Sequence, residues 1–208
     1  MQQSISVLLN RIPLWLRLTL VVGLLIAVAA AAGISVAKSS IYLGLGFLAC
    51  SLIPIHFRKW VKYRRDTGIV AGILIAAHSS WAFWNIMGGA YPYLFSKGIL
   101  PGLIAEVIMA VLLITSNLFI QRKLGARWKA IHAFVWLSLP LAMMHTFIAG
   151  SGFNGELPLL AMIILGGLTI FSIGKLFLPT ANRKEGLRDI ALTIAGFILA
   201  SVIFRFVS

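Results

Sequence analysis

The residues in this chain with the widest chemical reach are four histidines: His56, His78, His132 and His145. A neutral imidazole can ligate a metal, move a proton or hydrogen-bond across a helix interface. Other chemistries lack their parts. No HExxH metal motif is present, and the one cysteine, Cys50, lies inside an apolar run. Neither a paired-thiolate metal site nor an internal disulfide is therefore available. Gly44 and Gly46 fall in an apolar stretch without the strand–turn–helix setting of a dinucleotide fingerprint. A serine–histidine–acid arrangement has little support, because the few acidic residues lie mostly in predicted loops.

The elements that must position these side chains are membrane helices. With 60% apolar and 11% charged residues in 208, the chain has too few charges to cover a soluble surface. A helix crossing the hydrocarbon needs about 20 residues. Apolar runs of that order are predicted at 14–36, 41–57, 67–87, 99–120, 130–149, 157–178 and, shorter, 190–206. The last spans with Arg205 snorkelling outward, or else lies in the interface. The first has the basic start and small-residue tract of a signal peptide, yet Leu18 to Ala37 is long enough to stay as an anchor. The expectation is an all-α, polytopic transmembrane bundle of six to seven helices, one domain over 1–208 with no soluble domain.

A net charge of +13 would ordinarily raise nucleic acid as a partner, but the cations sit in short clusters between apolar runs. With the N-terminus inside, 15 of the 18 Lys and Arg face the cytoplasm, and only Lys38, Lys97 and Arg205 face out. This is a strong positive-inside pattern, and it predicts a multi-pass membrane protein with its N-terminus in the cytoplasm. Trp60, Tyr63 and Trp128 stand beside the inner clusters as anchors, and Tyr91 and Tyr93 on the outer side. Asp66, before Thr67 and Gly68, is expected to cap the third span.

Depth then separates the histidines. His78 lies 13 residues after Arg65 and His145 16 residues after Lys129, about 20 and 24 Å along helices rising 1.5 Å per residue. The third and fifth spans both run outward, so the two imidazoles reach similar depth in the outer half of the bilayer. Two neutral imidazoles facing each other across a bundle are what a six-coordinate haem iron needs. His132 and His56 lie near the inner face, where a second level is conceivable. The plainer alternative is a set of interhelical or headgroup hydrogen bonds. On one ideal helix His132 and His145, 13 residues apart, point roughly 140° from one another. Pro140 between them offers a kink. Glu106, about two turns inside the fourth span, is costly at that depth and marks proton or quinone handling. Contact with outer headgroups or a neighbouring serine would serve it equally well.

Three stretches carry a family resemblance. The segment Gln121-Arg-Lys-Leu-Gly-Ala-Arg-Trp-Lys-Ala-Ile-His132-Ala-Phe-Val-Trp136 resembles the basic loop and fifth-helix start of the ferric-reductase-like transmembrane domain family. Pro140-Leu-Ala-Met-Met-His145 is similar to the second histidine of that helix, and Arg64-Arg65 with Gly68 and Ala77-His78-Ser79-Ser80 to the third helix. The bacterial haem-binding membrane subunits typified by MsrQ (YedZ) are the nearest group, and the likeness covers roughly residues 40 to 178. A seventh span departs from the six-helix plan of that group.

The resemblance implies b-type haem with His78, His132 and His145 as iron ligands; His56 has no counterpart. It makes Arg64, Arg65, Arg122, Lys123, Arg127 and Lys129 candidates for haem propionates or a flavin, although orienting the protein explains most of them. FMN and quinone are further candidate cofactors. It implies an electron-transfer subunit of an oxidoreductase system, fed by a separate cytoplasmic flavin/NAD(P)H reductase or by quinol. The acceptor would be a periplasmic methionine sulfoxide reductase catalytic subunit. Two alternatives stand beside it. One is a stand-alone reductase of ferric iron or another small molecule in the same family. The other is a cofactor-free transporter or structural membrane subunit, for which neither an inverted repeat nor paired broken helices can be read.

Overall fold

The computed structural model of the protein describes residues 12–33, 35–52, 61–96, 98–150, 163–164, 166–168, 170 and 183–206. Among the described residues the chain is helical and contains no strand. It divides into two compact units, Met1–Trp81 and Ala82–Ser208.

The first unit begins with α1 (Leu14–Ala31), entered from Pro13, whose missing N–H costs nothing at a helix start. The helix runs out just before Gly33, whose φ of +82° is the left-handed backbone that glycine adopts most readily. Helix α2 (Val36–Leu52) is next, and after a 3-10 turn at Val61–Tyr63 comes α3 (Arg64–Asn85). Val22, Val70 and Leu74 form a core against Trp15, Leu18, Ile26, Leu43 and Phe47. Gly44 lets α2 approach α3 closely, for a Cβ there would stand 3.3 Å from Ile75 Cγ1 and from Leu74 Cβ. Its role is helix packing, not phosphate binding.

The second unit holds the end of α3, a 3-10 turn at Tyr91–Phe95, α4 (Leu100–Thr115), α5 (Leu118–Leu124), α6 (Arg127–His132), α7 (Val135–Gly150) and α8 (Arg183–Phe206). Its centre is α7, which packs against both α4 and α8. Ala105, Leu141, Ala200 and Ile203 make the buried core, with Leu100, Ile104, Ile108, Ala142, Met144 and Leu199 around it. Small residues at Ala105 and Ala200 bring the helices close, as expected where lipid leaves packing rather than water to drive association. A Cβ on Gly196 of α8 would meet the Leu137 carbonyl oxygen of α7 at 2.6 Å and Pro140 Cγ at 3.1 Å.

Among the described residues four helices are long and apolar enough to cross a membrane, Leu14–Ala31, Arg64–Asn85, Arg127–Ala149 and Lys184–Phe206, and the bent pair Leu100–Thr115 and Leu118–Leu124 makes a fifth if it is one span. Their outer faces carry exposed large apolar side chains such as Leu20, Leu24, Phe147, Ile198 and Phe204, the pattern of lipid contact. The protein is a multi-pass, all-α membrane protein. The last apolar run is an uninterrupted helix of 24 residues, longer than the sequence indicates, because Arg183 to Asp189 form its first turns.

Three expectations are corrected. The fourth span does not run straight to Ile120: α4 ends at Thr115, and α5 leaves it at 92°. Asn117 causes the break, since it is extended and its side chain accepts the Phe119 N–H at 2.8 Å, capping a new helix. The fifth span continues from Arg127 to Ala149, with its regular α-helical bonding interrupted at Ala133–Phe134 and not at Pro140, which lies inside α7. Asp66 is not the cap of α3 but sits in its first turn, paired with Arg65 at 3.3 Å. Its charge still favours that helix end. The run 157–178 and the end of 41–57 lie outside the described residues, apart from short helical pieces at 163–170.

Candidate functional site

The side chain of His145 is held by the start of α4. Its Nδ1 lies 2.8 Å from the Gly98 carbonyl oxygen, which can only accept, so Nδ1 carries the proton and donates. That bond fixes the tautomer and leaves Nε2 as the lone-pair nitrogen. Among the described residues Nε2 has no hydrogen-bond partner. The ring also lies on bare backbone: a Cβ at Gly102 would fall 2.6 Å from His145 Cγ, 2.8 Å from Nδ1 and 2.9 Å from Cδ2. No side chain larger than a hydrogen fits there without displacing the imidazole. The α4 start therefore forms a seat with two glycine contacts, a carbonyl from Gly98 and an open face at Gly102.

Reading the sequence by depth alone misses both glycines. The available signal was the spacing Gly98-x-x-x-Gly102, the small-residue pattern that lets membrane helices approach. Glu106 comes four residues after Gly102 and so lies one turn further along the same stripe of α4. It is half-buried and makes contacts of its own.

His132 has different surroundings. At the end of α6 its Nε2 lies 3.1 Å from Thr115 Oγ1, and its ring stacks on Trp128 with centroids 4.1 Å apart. Thr115 donates its own hydroxyl proton to the Val111 carbonyl at 2.8 Å, so the oxygen accepts from His132 Nε2–H. Trp128 Nε1 donates to the Thr115 carbonyl at 2.9 Å, which ties α6 under the end of α4. The nitrogen through which a histidine would meet iron is thus committed to Thr115.

His78 is half-buried in the middle of α3, within the first unit, and takes part in interactions there. His56 lies outside the described residues. Arg64 and Arg65 begin α3, with Arg65 on Asp66. Arg122, Lys123, Arg127 and Lys129 are exposed on α5 and α6, away from the His145 seat in sequence and joined to it through α4. Among the described residues no group of three or more His, Cys, Asp and Glu could hold a metal ion. A metal caged by side chains alone finds no site there. A haem asks only for axial nitrogens, and His145, with Nδ1 anchored and Nε2 presented, fits that demand.

No family model matches the chain, and no solved structure matches it. Among curated proteins, the haem-binding subunit MsrQ of the protein-methionine-sulfoxide reductase of Agrobacterium fabrum is 30% identical over 113 residues. That match takes in 52% of this chain and 53% of the relative, so the chain spans about half the length of the curated relative it matches. The resemblance read in the sequence is supported by comparison: this chain is similar to MsrQ.

Proposed function

We propose that the protein is a haem-binding membrane subunit that carries electrons across the bilayer. The observation that carries this reading is the His145 imidazole, with Nδ1–H on the Gly98 carbonyl and Nε2 left to ligate. Likeness to the MsrQ subunit supports haem as the group so held. His145 would be one of the residues that hold the haem iron. His78 is the second candidate on the sequence resemblance, and His132 would have to give up Thr115 before it could ligate through Nε2. Bound haem supplies a reversible one-electron iron couple, and ligation by two histidines leaves no open position for oxygen chemistry.

The chain's own residues do the rest. The Gly98 carbonyl makes the imidazole a stronger donor and fixes its plane, as a hydrogen-bonded partner does for metal-bound histidines generally. The apolar faces of α4, α7 and α8 keep the ligand's surroundings at low dielectric. We read the donor as a separate cytoplasmic flavin/NAD(P)H reductase or quinol. The acceptor is read as a periplasmic methionine sulfoxide reductase subunit, and Glu106 as a proton or quinone site.

The test is an absorption spectrum of the purified protein, oxidised and then reduced with dithionite. A b-type spectrum is expected. His145→Ala is expected to lose most of the haem, and His145→Gln, which keeps the volume without the donor, to do the same. A colourless parent, or stoichiometric haem in both variants, would sink the assignment.

A further inference from the structure

Between α4 and α5 the chain turns by 92° at a break of a few residues. Past the bend the chain forms a short amphipathic piece. Leu118 is 50% and Phe119 75% exposed, both large apolar side chains with no protein cover. Arg122 and Lys123 come one turn later, and Arg127 and Lys129 lie across Gly125, all four exposed. From Ser116 to Phe134 there is no acidic residue. Among the described residues none of these four cations takes part in an ion pair. The segment is also rigidly placed. Asn117 caps α5, Gly125 turns the chain at φ +53°, and Trp128 and His132 both bond to Thr115 at the end of α4.

Positive-inside bias accounts for cations near a span, but not for a right-angled break that sets exposed apolar side chains beside them. We infer that α5 and α6 form an interfacial anchor for anionic phospholipid. In it Leu118 and Phe119 enter the acyl boundary, and Arg122, Lys123, Arg127 and Lys129 take headgroup phosphates. Charge complementarity selects the lipid. Unpaired cations held within a Debye length of the surface attract anionic headgroups, and adjacent apolar side chains at the acyl boundary are what an interfacial helix adds.

Native mass spectrometry of the full chain, purified and incubated with phosphatidylglycerol or phosphatidylcholine, tests this. Retained phosphatidylglycerol adducts are expected, with phosphatidylcholine lost. Each cation replaced is expected to lower retention roughly fivefold. The variant R122Q/K123Q/R127Q/K129Q then behaves toward both lipids alike, while K62Q/K184Q, altered at exposed cations elsewhere, keeps the parent's preference. Equal retention of both lipids by the parent, or an unchanged preference in the fourfold variant, would overturn the proposal. So would displacement of the lipid by millimolar inorganic phosphate or FMN, which would assign the cations to a soluble phosphate. A second measurement stands apart from lipid affinity: a nitroxide at Phe119→Cys, in a Cys50→Ser background, is expected to contact oxygen-rich lipid. Accessibility to an aqueous relaxation agent at bulk-water level would contradict an anchor in the interface.

Discussion

At the scale of single residues, the arrangement around His145 makes a sharp demand on Gly102. Any Cβ there reaches within 2.9 Å of three ring atoms, and overpacking of that kind typically costs about 1–3 kcal/mol. Gly102→Ala is therefore expected to tilt or displace the imidazole and reduce haem content several-fold, with the spectrum of the remaining haem altered. Pyridine haemochromogen quantification on the purified variant checks it, and an unchanged content and spectrum would show that the seat is not needed. The side chains were more legible in the sequence than their surroundings. A histidine far inside an apolar run is visible as such, and so is a carboxyl. The Gly98 carbonyl that orients the imidazole is a backbone atom and leaves no residue-type signal. The commitment of His132 to Thr115 was equally hidden, because the two are 17 residues apart and meet only through the α4–α5 break.

At the scale of elements, the packing of α8 on α7 rests on Gly196. Its added Cβ would press on a main-chain oxygen, which cannot rotate away, and on the ring of Pro140. Gly196→Ala is expected to force the two helices apart and lower thermal stability in detergent, at a cost of about 1–3 kcal/mol. Gly46 is the internal comparison, since a Cβ there meets nothing within 4 Å. Gly46→Ala is expected to be neutral or slightly stabilising through the better helix propensity of alanine. Unfolding followed by thiol-reactive dye or circular dichroism separates the two, and equal melting temperatures would refute the packing argument. The helical, membrane-spanning class was readable from apolar length. The breaks were not. Hydropathy sees Thr115 to Ile120 as continuous, whereas Asn117 ends one helix and caps another by a side-chain bond that costs nothing in apolarity. Pro140 offers a place for a kink, yet the chain carries it within α7, and the regular helical bonding is interrupted instead at Ala133–Phe134. There the bonds Phe134 N–H to Ile131 and Trp136 N–H to Ala133 span three residues rather than four. The ideal-helix phase between His132 and His145 was accordingly not a safe guide to their directions.

At the scale of the whole molecule, the charge distribution sets the expected orientation. The exposed aromatic end at Tyr91 and Tyr93 and the basic end at Arg122 to Lys129 belong to opposite ends of α4. In intact cells, with Cys50 replaced by Ser, Tyr93→Cys is expected to react with a membrane-impermeant maleimide. Lys123→Cys is expected to react only after permeabilisation. The reverse pattern would invert the topology and, with it, the sides on which donor and acceptor are sought. Apolar abundance made the membrane class plain from the sequence, because no arrangement of so few charges could solvate this surface. Electron partners leave no comparable trace in one chain, since they are read by surfaces that belong to other molecules.

The close contact of Gly196 with Leu137 and Pro140 also bears on timing. A proline inside α7 offers no N–H to the preceding turn, so this stretch of the helix is braced from outside, by α8. Helix α8 leaves the ribosome after α7, so that brace is in place only once α8 has inserted and docked. Until then the stretch of α7 around Pro140 would stand with a missing backbone hydrogen bond and no neighbour to hold it.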